Sequence, residues 1–167
     1  MKHILIILSS FFIALSLNAQ DESYGLLKFK VPAEWQQQTK DNHVSYTSAK
    51  DAAEIREIIV YSAQPAAPKL DSSFRMEWRR ILNDTYSNPA LLPARKRGTS
   101  SGIAFAENGA EMMFNGQKMY AQILVFSLDD QVQTIQLIAN DLAAFKKSRD
   151  FIYDFLDSVD SIKKRKD

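Results

Sequence analysis

Beyond the first three residues the chain has a single histidine, His43, and it has no cysteine at all. A zinc site built from His and Cys needs several such ligands, and a Ser–His or Cys–His nucleophile pair would have to use this one imidazole. His43 opens a short alternating stretch and reads as an exposed residue at a hairpin edge. Carboxylates are the other reactive resource, grouped at Asp129-Asp130 and at Asp150, Asp154 and Asp157. Glycoside hydrolysis needs two carboxyls facing each other across a cleft, and calcium needs about six to eight oxygens from a loop. Asp129-Asp130 reads instead as a turn, and the other three as the solvated face of a helix. No residue is therefore assigned to catalysis, to a metal or to a cofactor, and the chain reads as a non-enzyme.

Binding chemistry is better represented. Arg95, Lys96 and Arg97, followed by Gly98, Thr99, Ser100 and Ser101, present cations beside a backbone that can approach an anion such as a lipid head group or a polysaccharide carboxylate. The plainer reading is a solvated loop entering an edge strand, where lysine discourages unwanted pairing. Trp35, Trp78, Tyr46, Tyr61 and Tyr120 can line an apolar pocket, although their spacing suits a core. Trp35 is set apart because a tryptophan in a loop after a proline is harder to bury. Trp35, Arg95, Lys96 and Arg97 are the candidate binding surface. Asn83-Asp84-Thr85 matches a glycosylation sequon, relevant only in a eukaryotic secretory pathway, and Lys163 to Lys166 reads as a solvated basic tail.

Residues 1–19 have the layout of a secretory signal: Lys2 and His3, an apolar run from Ile4 to Leu17, and a small residue at Ala19. The run is shorter than the roughly 20 apolar residues that span a bilayer. Removing it leaves 148 of 167 residues, the size of one domain, so residues 20–167 are read as a single domain in the periplasm or outside the cell. Lys2 is the one charged side chain lost, so 21 basic residues become 20 against 20 acidic ones. That balance argues against nucleic acid as a partner, since phosphate contacts need a net basic surface. Without cysteine the fold must rest on burial, for which 46% apolar residues suffice.

The elements that position these groups follow from periodicity. Tyr24 to Val31 reads as a strand with Leu27, Phe29 and Val31 on one face, ended by Pro32; His43 to Thr47 and Glu54 to Ser62 are the next two. Asp71 or Ser72 caps a helix whose Phe74, Trp78, Ile81 and Leu82 form one stripe. Asn88-Pro89 and Pro93 end it and lead into a mobile segment. From Ser100 to Ala139 an antiparallel meander is expected, with turns at Asn108-Gly109, Asn115-Gly116 and Asp129-Asp130. Its longest strand, Lys118 to Leu128, is apolar on both faces: Met119, Ala121, Ile123 and Val125 on one, Tyr120, Leu124, Phe126 and Leu128 on the other. Such a strand needs cover on both sides. Asn140 or Asp141 caps a last helix with Phe145, Ile152, Leu156 and Val159 buried.

This layout resembles the PsbP-like family, in the strand leading to a Pro-x-x-Trp loop (Val31, Pro32, Trp35), the Phe-x-x-x-Trp helix (Phe74, Trp78), the glycine-punctuated meander and the terminal helix ending near Ser158 and Val159. The resemblance spans residues 24 to 160. It implies an α/β sandwich, a central antiparallel sheet with helices on both faces, and a non-catalytic binding or assembly role for a protein or small-molecule partner in the cell envelope. An NTF2-like cone is the rival, but such folds begin with helices, whereas here the first helix follows three strands. The other functional readings are a carrier of an apolar ligand, which needs a cavity of at least about 300 Å³, and a hydrolase using carboxylates or a serine.

Overall fold

The computed structural model describes residues 19–48, 55–83, 85–92 and 96–162. The leader up to Asn18, Asp84 of the sequon, Arg95 and the basic tail from Lys163 lie outside the described residues. In chain order the elements are strands β1 (Ala19–Tyr24), β2 (Leu27–Pro32), β3 (Gln36–Lys40), β4 (His43–Thr47), β5 (Glu57–Tyr61) and β6 (Gln64–Pro65) and helix α1 (Leu70–Trp78). A π-helical turn (Arg79–Asn83) continues α1, followed by β7 (Ser87–Leu91), β8 (Lys96–Ser100), β9 (Ile103–Phe114), β10 (Gln117–Leu128), β11 (Gln131–Ala139), α2 (Leu142–Lys147), α3 (Arg149–Ser158) and β12 (Asp160–Ser161).

The large sheet is antiparallel in the order β3-β4-β5-β11-β10-β9-β7, with β6 also on β11 and β8 also on β9. A second, small sheet has the order β1-β2-β12. At the centre, β10 divides the interior as its alternation requires. Met119, Ala121, Ile123 and Val125 cluster with Phe74, Ile81 and Leu82, whereas Leu124 and Phe126 cluster with Leu27, Phe29 and Val31 of β2 and Ile152, Phe155 and Leu156 of α3.

Several local expectations differ from what the chain does. Asn108-Gly109 is not a turn: both residues lie inside the 12-residue β9, opposite Ile123 and Gln122 of β10. The turn is displaced to Ser101-Gly102, where φ is 47° and 77°. β9 therefore pairs with β10 from Ala104 to Phe114, and Phe105 meets Phe126 across it, with ring centroids 5.8 Å apart. Asn115-Gly116, at φ 48° and 79°, does form the next turn, and Asp129-Asp130 joins β10 to β11. Asn88-Pro89 lies inside strand β7, and strand β8 follows where a mobile segment is expected. Lys69, without a side-chain cap bond, rather than Asp71 or Ser72, precedes the first helix; Asp141 does cap α2, accepting from Ala144 N at 2.8 Å. The terminal helix is divided at Ser148.

Gly109 is glycine because of what faces it. A Cβ there would stand 2.8 Å from Leu92 Cδ1 and 3.3 Å from Phe145 Cζ. Gly109→Ala is expected to cost about 1–2 kcal/mol through overpacking, read as a lower Tm in thermal unfolding. Its neighbour Asn108 is buried, and its Oδ1 has no hydrogen-bond partner among the described residues.

Candidate functional site

Of the residues singled out for binding, Trp35 and Lys96 meet at α3, Arg97 does not, and Arg95 lies outside the described residues. Trp35 is not a surface ring: it is 9% exposed and stacks on Phe151 of α3 at 6.0 Å and 9° between planes. Lys96 reaches the same helix two residues further on, where its Nζ donates to Tyr153 Oη at 2.5 Å and lies 5.1 Å from that ring. The same ammonium is 3.8 Å from Oε1 of the buried Glu107. Arg149, one turn earlier on α3, packs over the Tyr153 ring at 5.5 Å. Arg97 is paired with Asp71 at the start of α1. The structure thus links Trp35 and Lys96 through α3 and draws Arg97 away towards α1.

Two cations against one phenol have a chemical consequence. The hydrogen bond from Lys96, then that from Arg149, holds the Tyr153 hydroxyl below the usual tyrosine range. Lys96→Ala is expected to return it upward, measured as a shift of the phenolate absorbance titration to higher pH. His43, by contrast, titrates below the usual imidazole range, chiefly because it is partly desolvated and secondarily because Lys40 is near; its Nδ1 is 2.7 Å from Asn42 Oδ1.

A second constellation, absent from the sequence expectations, lies beneath α1. Glu77 is 3% exposed. Its carboxylate accepts from Arg80 Nε at 3.0 Å and Nη2 at 2.5 Å, and from Thr134 Oγ1 of β11 at 2.6 Å. Arg80 also packs over the Tyr61 ring at 5.4 Å, and Tyr61 Oη donates to Gln136 Oε1 at 2.8 Å. Burial pushes the Tyr61 phenol well above its usual range. The signal was present in the helix: positions 74, 77, 78 and 81 are one stripe, and Glu77 stands on it among Phe74, Trp78 and Ile81. An acid on an apolar stripe must find a cation, and Arg80 is one turn away.

Beside this pair is a cavity of about 220 Å³. Met76, Glu77 and Arg80 form its helical wall, and Pro65 of β6 and Val132 of β11 its sheet wall. That volume is below the roughly 300 Å³ at which small-molecule pockets begin. Among the described residues no group of three or more His, Cys, Asp or Glu side chains is placed to hold a metal ion, and no helix is long and apolar enough to cross a membrane.

No protein-family model matches the sequence, and no curated protein matches it. Solved structures do. The cyanobacterial PsbP (CyanoP) of Synechocystis superposes with a TM-score of 0.66 at 9% identity, over 92% of this chain and 98% of that one. The fold is PsbP-like. The Ran-binding protein Mog1p of Saccharomyces cerevisiae shares it, with a TM-score of 0.63 at 10% identity over 89% of this chain and 97% of that one. A longer Bacteroides thetaiotaomicron chain contains a similar unit, with a TM-score of 0.54 at 10% identity, over 85% of this chain and 47% of its own. At such identities the likeness concerns the fold alone.

Proposed function

We propose that this PsbP-like chain is an exported, non-catalytic binding or assembly module. In this reading residues 20–167 form one sandwich domain, with α1 over one face of the large sheet and α3 with the β1-β2-β12 sheet over the other. The observation that carries it is how the buried polar groups are used. Glu77 is satisfied by Arg80 and Thr134, Gln136 by Tyr61, and Gln133 by three backbone groups. A hydrolase keeps a carboxylate or hydroxyl uncommitted in a cleft; these groups are spent holding elements together. Specificity then resides on the surface. That the fold is shared, at 9–10% identity, by PsbP and by the Ran-binding protein Mog1p supports a scaffold whose function is set by its outer side chains. Export rests on the leader pattern of residues 1–19.

The test is native mass spectrometry of the mature chain, cross-linked in the envelope of the cell that makes it and recovered gently. One reproducible stoichiometric complex, dissociated on denaturation, is the expected result. A bare chain mass together with hydrolysis of ester, peptide or glycoside substrates, abolished by one Asp, Glu or Ser substitution, overturns the reading.

A further inference from the structure

Resting on the reading of the chain as a binding module, we propose that the outer surface of α1 receives an acidic segment of a partner protein, which inserts one apolar side chain into the cavity beside Met76.

The cavity supplies the first half of the argument. At about 220 Å³, walled by Met76, Pro65 and Val132, it suits a single side chain better than a whole ligand. The charged groups on its helical wall, Glu77 and Arg80, already neutralise each other and leave no ionic demand on the occupant. Met76 is 56% exposed, more than any other large apolar side chain among the described residues, and an unbranched thioether adapts its shape to what it receives.

The rim supplies the second half. Arg75 and Arg79 are exposed one helical turn apart on the outer face of α1, on the side of Met76 away from the cavity, with Arg79 the i+3 neighbour of Met76. Arg80, Lys96, Arg97 and Lys118 each lie within ion-pair distance of a carboxylate of the chain itself, whereas Arg75 is bonded only to Ser72 Oγ at 3.4 Å and Arg79 takes part in no ion pair among the described residues. Two uncommitted guanidinium groups on the outer face of α1 next to Met76, which itself walls the cavity, select for carboxylates on one side of an apolar anchor, and Arg and Met are enriched at protein interfaces. The π-helical turn at Arg79–Asn83 begins here, a distortion common at functional sites.

The experiment uses an array of short immobilised peptides: Asp/Glu-rich with a central Leu, Ile, Phe or Trp, the same with central Ser, and Lys/Arg-rich counterparts. The full mature chain is expected to be retained by acidic peptides with an apolar centre. Retention is expected to fall at least about tenfold for Arg75→Glu/Arg79→Glu and for Met76→Asp, with thermal unfolding confirming that these exposed substitutions leave the fold intact. Retention equal in these variants overturns the site while leaving the binding-module reading in place. No retention of acidic apolar-centred peptides also overturns it, whatever the cross-linking in the envelope shows. Binding to phosphatidylglycerol vesicles that ignores Met76 would assign the arginines to a lipid surface instead. A concentration-dependent dimer lost in Met76→Asp would place a second copy there; either result overturns the proposal.

Discussion

Arg80→Met is expected to lower the unfolding free energy by about 3–5 kcal/mol, moving the thermal midpoint down by roughly 10 °C. The asymmetry of the pair is the reason. Arg80 keeps 32% of its side chain in solvent, whereas Glu77 keeps 4%. Removing the arginine strands a carboxylate that Thr134 alone cannot satisfy. Glu77→Met should be milder, since the guanidinium can turn outward and the loss is chiefly the Thr134 hydrogen bond, about 1–3 kcal/mol. The double variant Glu77→Met/Arg80→Met should recover much of what Arg80→Met loses, because burying apolar groups of similar size in place of an ion pair is close to neutral. Denaturant unfolding of all three checks this; a double variant as unstable as Arg80→Met would show that the pair is not what secures α1 to the sheet.

Gln133→Leu carries the second large expected effect, about 3 kcal/mol or more. Gln133 is fully buried on β11, and its amide is completely used. Oε1 accepts from Leu26 N at 2.7 Å, while Nε2 donates to Tyr24 O at 2.9 Å and to Tyr61 O at 3.0 Å. The side chain therefore joins the β1–β2 turn to β5 and β11. A leucine has similar volume but leaves an N–H and two carbonyls without these partners, away from water. Hydrogen exchange should localise the loss: amides of β1 and β2 are expected to lose protection before those of β9 and β10. A uniform loss across both sheets would contradict this assignment.

What could be read from the residues was whatever is local. The two faces of β10, the Phe74–Trp78 stripe, the Asp141 cap and the Asn115-Gly116 turn each arise from residues within a few positions of one another, and each has its expected form. What could not be read depends on neighbours distant in the chain. β3 is Gln-Gln-Gln-Thr-Lys and exposed throughout, with no apolar alternation to announce it; β4 alone makes it a strand. Asn108-Gly109 has the composition of a turn, but β10 offers a partner to every residue of β9 from Ala104 to Phe114. Trp35 looked difficult to bury because the Phe151 that receives it belongs to an element encoded far away. The same blindness applies to the candidate sites. Nothing near Lys96 in sequence announces Tyr153, whereas Glu77 could have been noticed on its stripe.

The small sheet also sets the order in which the molecule can be completed. β2 is flanked by β1, next to it in the chain, and by β12, whose Asp160 and Ser161 face Lys28 and Leu27. The apolar face of β2, Leu27, Phe29 and Val31, clusters with Ile152, Phe155 and Leu156, and Lys30 N donates to Ser158 Oγ at 3.0 Å. A chain made amino end first therefore presents a hairpin that Tyr46 and its neighbours can cover early but that α3 and β12 cover only much later. During that interval part of an apolar face stays exposed, and the length of the interval is set by the distance along the chain between β2 and α3 rather than by the strength of any contact in the finished fold.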